Sequence, residues 1–192
     1  MKSIAFRILF FTAILLSFSF DIPKGWFKAG ASPNEYEMGI DPGSGQGSGN
    51  AATIKSKKDK AKSWATLMQD FAPGKFLGKR IKMSAFMKTN NVTTSAAFWL
   101  RVDQPGSRAS LSFDNMANRP IKGTTDWTQY EIVLEVPQKA SNIAYGAMLR
   151  GSGQIWFDNF SFEVAEESTP VTDITKPESR QQSEPFNVDF EK

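Results

Sequence analysis

From Tyr36 to Val164 the apolar side chains recur at alternate positions within short runs, and clusters of glycine, proline and asparagine separate the runs. Ile81, Met83, Ala85 and Met87 alternate with Lys82, Ser84 and Lys88, while Phe98, Leu100 and Val102 alternate with Trp99, Arg101 and Asp103. A period of two belongs to a strand, in which successive side chains leave on opposite faces, so each run has one core face and one second face. No window carries a helical stripe. The runs predict about nine strands, at 36–41, 51–56, 63–71, 79–88, 96–103, 109–114, 127–136, 142–150 and 154–164. Pro105-Gly106 supplies turn chemistry between two of them, and Gly151-Ser152-Gly153 reads as a tight hairpin joining the last two. Many short strands without helices imply an all-β fold, an antiparallel β-sandwich or jelly roll.

Among 192 residues there is neither cysteine nor histidine. Disulfides, thiolate metal sites, thiol nucleophiles, imidazole acid–base chemistry and the serine–histidine–acid triad are thereby excluded. Carboxylate, lysine, tyrosine or calcium chemistry remains. The glycine-rich stretch 41–49 lacks a following helix and a closing Gly-Lys-Ser/Thr, so it reads as a connection between strands rather than a phosphate cradle.

The two ends differ from the body. Lys2 and Arg7 precede an apolar run, Ile8 to Leu16, which is too short to span a bilayer and has the pattern of a secretory signal ending near Ser19. The alternative is an uncleaved anchor. Removal of 1–19 lowers the net charge from +3 to +1, which leaves no footprint for nucleic acid, and export places the protein outside the cytoplasm, in the envelope or medium, with no membrane attachment after cleavage. The tail, 165–192, is polar and acidic at −4 against +5 for the body, and is expected to be disordered. Oligomeric state has no signature.

Several phrases in order carry a resemblance: Pro23-Lys-Gly-Trp-Phe27, Asn34-Glu-Tyr-Glu-Met-Gly-Ile-Asp41, Thr66-Leu-Met-Gln69, Trp99-Leu-Arg-Val-Asp103, Ser112-Phe-Asp-Asn-Met116, Arg119-Pro-Ile-Lys-Gly-Thr-Thr-Asp-Trp127 and Gln154-Ile-Trp-Phe-Asp158. Together they resemble a galactose-binding-like jelly-roll module across 23–164, of the carbohydrate-binding-module kind. Similar modules accompany bacterial transcription regulators, erythromycin-esterase-like hydrolases and secreted peptidases. The resemblance implies the fold and a binding role, and not the activity of any partner domain. Asn187-Val-Asp-Phe-Glu191 is similar to the opening phrase of such modules, either as the stub of a second one or by coincidence.

Trp99, Arg101 and Asp103 share the face opposite the aliphatic trio, which lines up an indole, a guanidinium and a carboxylate. An aromatic ring can stack on the apolar face of a pyranose while charged groups hydrogen-bond its hydroxyls. Asp114, with Ser112, alternates against Leu111 and Phe113 and joins that group if the strands are neighbours. The alternative is a surface ion pair at Arg101 and a tryptophan filling the sandwich. Arg150 shares a face with Met148 and the small residues Ala144 and Gly146, which leave a hollow for ligand or for close packing, and Trp64, on one face with Thr66, Met68 and Asp70, serves either stacking or core filling. Asp158 has the parity of Trp156, Phe160 and Phe162 and must be paired, hydrogen-bonded to loop amides, released by a bulge or bound to a cation. The resemblance implies Glu37 as its partner around a structural calcium ion, which suits an all-oxygen site.

The residues therefore support a secreted, non-catalytic module that binds carbohydrate or another extracellular ligand. An envelope interaction domain without a small ligand would instead bury Trp99 beneath a flat or covered face. A small glycosidase or lyase would work through carboxylates such as Asp103 and Asp114, with two carboxyl groups facing each other across a cleft. No catalytic residue is assigned.

Overall fold

The computed structural model describes residues 20–175, so the expected signal segment at 1–19 and the phrase at 187–191 lie outside the described residues. The strands are β1 (Phe27–Gly30), β2 (Tyr36–Asp41), β3 (Ala51–Ser56), β4 (Trp64–Phe71), β5 (Lys79–Asp103), β6 (Ser112–Asp114), β7 (Ile121–Val136), β8 (Asn142–Arg150) and β9 (Gln154–Ala165). Single 3-10 turns at Pro33–Glu35 and Gly74–Phe76 are the only helical pieces among the described residues. All pairings are antiparallel, as the period-two runs predict.

β5 organises the molecule. The expected strands at 79–88 and 96–103 are one strand of 25 residues. Its first half pairs with β7 and β9, and its second half pairs with β8 and β6. One sheet therefore runs β1-β4-β8-β5-β6 and the other β7-β5-β9-β3-β2, with β5 bending from one to the other. Register shifts after Met87, Thr89 and Val92, with Asn91 at φ 52°, absorb the bend. Irregularities of this kind turn a strand through a corner without ending it.

This topology corrects the hairpin expected at Gly151-Ser152-Gly153. β8 and β9 do not pair, because the two halves of β5 lie between them, so the three residues carry the chain from one sheet to the other. Both glycines have positive φ, 78° and 126°, and a Cβ on Gly151 would lie 2.4 Å from Thr94 Oγ1.

The core fills the space between the sheets. Phe98, Leu100 and Val102 meet Ile81, Met83 and Met87, and Leu67, Ile143, Leu149 and Phe157 complete the layer, all buried as the alternation predicts. Aromatic residues close one end, where Trp26 lies 5.3 Å from Tyr145 and 5.5 Å from Phe160 between ring centroids. The first pair is edge-to-face and the second tilted, and aromatic pairs of this kind add about 0.5–1.5 kcal/mol each beyond their burial.

The stretch after β9 departs from the expected disorder. Thr172 N–H donates to the Val133 carbonyl of β7 at 2.8 Å, and Ile174 N–H donates to the Phe113 carbonyl of β6 at 2.9 Å. Asp173 Oδ1 accepts from Phe113 N–H at 3.2 Å. The polar composition of 166–175 is real, but unpaired strand edges offer backbone partners that composition does not reveal. The segment straps the β6 edge of one sheet to the β7 edge of the other.

Candidate functional site

The outer face of the β1-β4-β8-β5-β6 sheet holds a hollow of about 400 Å³ lined by Trp64, Thr66, Met68, Trp99, Arg101, Phe113, Asn115, Met148 and Arg150, with Ala29 at its edge. Register explains the set. Trp99 lies opposite Gly146, which lies opposite Met68, and Met148 lies opposite both Ala97 and Thr66. Directly paired residues point to the same side of a sheet, so these side chains converge. The small residues Ala144 and Gly146 on β8 leave the space, as the sequence suggests. A Cβ on Gly146 would sit 2.4 Å from the Leu67 carbonyl oxygen.

Trp99 forms the floor. It is 8% exposed, and its indole N–H donates to Thr66 Oγ1 at 2.8 Å, while the Thr66 hydroxyl donates to the Ala147 carbonyl at 2.7 Å. The ring is therefore buried and does not project into solvent, which corrects the exposed platform expected beside Arg101 and Asp103; it still lines the hollow, and its N–H is held by a buried hydroxyl. Trp64, half-buried at the opposite end of β4 from Phe71, lies opposite Arg150 and forms a side wall.

Arg101 is exposed and bound to Asp103, with Nε to Oδ1 at 3.0 Å, which is the surface ion pair weighed from the sequence. It nevertheless lines the hollow, whereas Asp103 does not. Arg150 is exposed at the other end and has no carboxylate within ion-pair distance among the described residues.

Asp114 is a correction. It is fully buried on the core side, where Oδ2 meets Arg119 Nη2 at 2.6 Å and Oδ1 accepts from Met116 N–H at 2.7 Å. The alternation 112/114 against 111/113 holds, but its sense is inverted. Phe113 pairs with Arg101 and Asp114 with Leu100, so the phenyl ring enters the hollow and the carboxylate enters the core. Polarity suggested the opposite, because Arg119, five residues further on, neutralises the buried charge. Phe113, Asn115, Thr66, Met68 and Met148 were not assigned to the site from sequence. Shared parity is the available signal for three of them, Thr66 and Met68 with Trp64, and Met148 with Arg150.

Asp158 does not join Glu37. A bulge opposite β5, between Ser84–Ser161 and Phe86–Asp158, with Asn159 at φ 56°, shifts the parity of β9. Phe157 is buried, Phe160 and Phe162 pack against the core, and Asp158 points away. Its oxygens accept from Gln46 N–H at 3.1 Å and Asn159 N–H at 2.8 Å, which ties down the glycine-rich loop. Two of the alternatives for this aspartate, bulge and loop amides, are thus realised together. Glu37 pairs with Lys55, which lies opposite Gln154, about 13 Å along β9 from Asp158 at a strand rise of about 3.3 Å. The implied calcium site is not assembled from these two residues. Among the described residues no group of three or more acidic side chains gathers where a cation could be held.

No family model matches the chain. It is 41% identical over 169 residues, 88% of its length, to the uncharacterized HTH-type transcriptional regulator YbfP of Bacillus subtilis, of which it spans 57%. Among solved structures it is similar to the CBM22-1 xylan-binding domain of Paenibacillus barcinonensis Xyn10C, with TM-score 0.54, 10% identity, and 76% and 89% of the two chains covered. It is also similar to the enzymatically active domain of bacteriophage CBA120 tailspike protein 4, with TM-score 0.56, 11% identity, and 74% and 20% covered. The chain has the jelly-roll β-sandwich fold of carbohydrate-binding modules.

Proposed function

We propose that the hollow over Trp99 captures a saccharide, without catalysis, outside the cytoplasm. The observation that carries this reading is an open depression of about 400 Å³ with an indole floor, a second indole wall and a guanidinium at each end. Apolar surface takes the faces of sugar rings, and the arginines and Asn115 take hydroxyls. A pure interaction domain would bury Trp99 beneath a flat or covered face; Trp99 is buried, and it is the hollow it lines that favours ligand capture. Glycoside hydrolysis needs two carboxyl groups about 5–9.5 Å apart across the ligand. No acidic residue is among those lining the hollow, Asp103 is held by Arg101, and Asp114 is on the far side of the sheet. The charged start and apolar middle of 1–16 support export. The likeness to a transcriptional regulator favours a second use of the same groove, as the ligand-sensing part of a larger protein.

Affinity electrophoresis through gels containing xylan, galactan or pectin tests the reading. Retardation on at least one polysaccharide, lost in Trp64→Ala and retained in Trp127→Ala on the opposite sheet, is the expected result. A folded protein that runs unretarded on every polysaccharide overturns it.

A further inference from the structure

The charges around the hollow are one-sided. A second hollow of about 320 Å³, lined by Thr94, Ser95, Ala97, Asn115, Met148, Lys122 and Arg150 among others, continues from the first and shares Asn115, Met148 and Arg150 with it. Neither hollow is lined by an acidic residue. The two ends of the groove nevertheless differ. At one end Arg101 is already bound by Asp103. At the other, six residues along β8 and about 20 Å away at a rise of about 3.4 Å per residue, Arg150 stands between the two hollows with Lys122 beyond it. Among the described residues neither Arg150 nor Lys122 has an ion-pair partner, and Glu35, on the turn before β2, is taken by Lys58 at 2.8 Å.

From this asymmetry we infer that the captured saccharide is acidic, and that a sugar carboxylate docks on Arg150 beside Trp64. The inference rests on the saccharide reading above and names its ligand class. A guanidinium presents paired N–H donors that match a carboxylate in bidentate geometry, and a neighbouring indole covers the adjoining sugar ring. A neutral polysaccharide would leave that guanidinium with only hydroxyl partners. Lys122 extends the positive end for the next acidic residue of a polymer.

Polygalacturonate and its fully methyl-esterified form have the same backbone and differ in charge, so they separate the two propositions. The expected result is that polygalacturonate binds more tightly than the ester, by about tenfold, the scale of one charge-assisted hydrogen-bonded pair. Arg150→Gln should erase that difference while ester binding persists. Lys139→Gln, which removes an exposed charge outside the groove, should preserve it. Equal binding of the two polymers by the parent protein, or an unchanged preference in Arg150→Gln, overturns the acidic-ligand inference and leaves saccharide capture standing. Binding to neither polymer nor to xylan or galactan removes both.

Discussion

Replacing Asp114 with alanine separates a structural carboxylate from a ligand-binding one. The side chain is fully buried, its Oδ2 lies 2.6 Å from Arg119 Nη2, and its Oδ1 receives both Arg119 Nη1 at 3.3 Å and Met116 N–H at 2.7 Å. Two opposite charges about 4 Å apart attract by about 4 kcal/mol at an effective dielectric of 20. The Arg119 side chain is 34% exposed and also donates to the Glu131 carbonyl at 3.2 Å, so part of its charge is answered without Asp114. Discounting for that solvent access, and adding an unsatisfied Met116 N–H, gives a loss of about 2–4 kcal/mol. For a domain of this size each kcal/mol moves Tm by about 2–4 °C, so a fall of roughly 5–15 °C is expected by calorimetry. Asp114→Asn keeps an acceptor for Met116 and should lose less. Both variants should be retarded like the parent protein in polysaccharide gels run well below their melting temperatures. A normal Tm combined with lost retardation would place Asp114 in the ligand site and refute the register argument.

Gly146→Ala should destabilise by about 1–3 kcal/mol in denaturant titration, because its Cβ meets backbone at 2.4 Å; a neutral result would mean that β4 yields easily. Tyr36 donates its hydroxyl to the Ser63 carbonyl at 2.7 Å and the Gly151 carbonyl at 3.1 Å, and burial, with Glu35 beside it, pushes its pKa above the ordinary value. Burial raises Tyr145 in the same direction. A raised phenol gives stability that is complete below about pH 10 and lost as pH climbs through the folded-state value, so this contribution to Tm should be lost on the alkaline side, and the alkaline fall should be smaller in Tyr36→Phe than in the parent. A chelator should leave Tm unchanged, since both Asp158 oxygens are engaged by backbone amides; a drop would show a cation bound elsewhere to the folded state.

What the sequence made legible, and what it did not, divides along a physical line. Alternation reports a side chain's face relative to its own neighbours, and so the strands and the buried trio Phe98, Leu100 and Val102 could be read directly. The absolute sense of a three-residue strand such as β6 depends on its register with β5, and two long-range pairings, Arg101 with Phe113 and Leu100 with Asp114, decide it. A polar residue then enters the core because one arginine waits there. The same limit explains β9, where one extra residue at the bulge reverses parity between Trp156 and Phe160, and the glycine link, whose composition fits a hairpin or a crossing between sheets equally well. Trp99 illustrates the consequence for function. Sequence sets the choice as exposed platform or buried filler, yet the missing side chain at Gly146 and the hydroxyl of Thr66 give a ring that is buried by area and still lines a hollow. In the proposed capture of a saccharide, a ring whose N–H is held by Thr66 is already oriented, so less rotamer freedom would be lost on binding than for a tryptophan standing free in water.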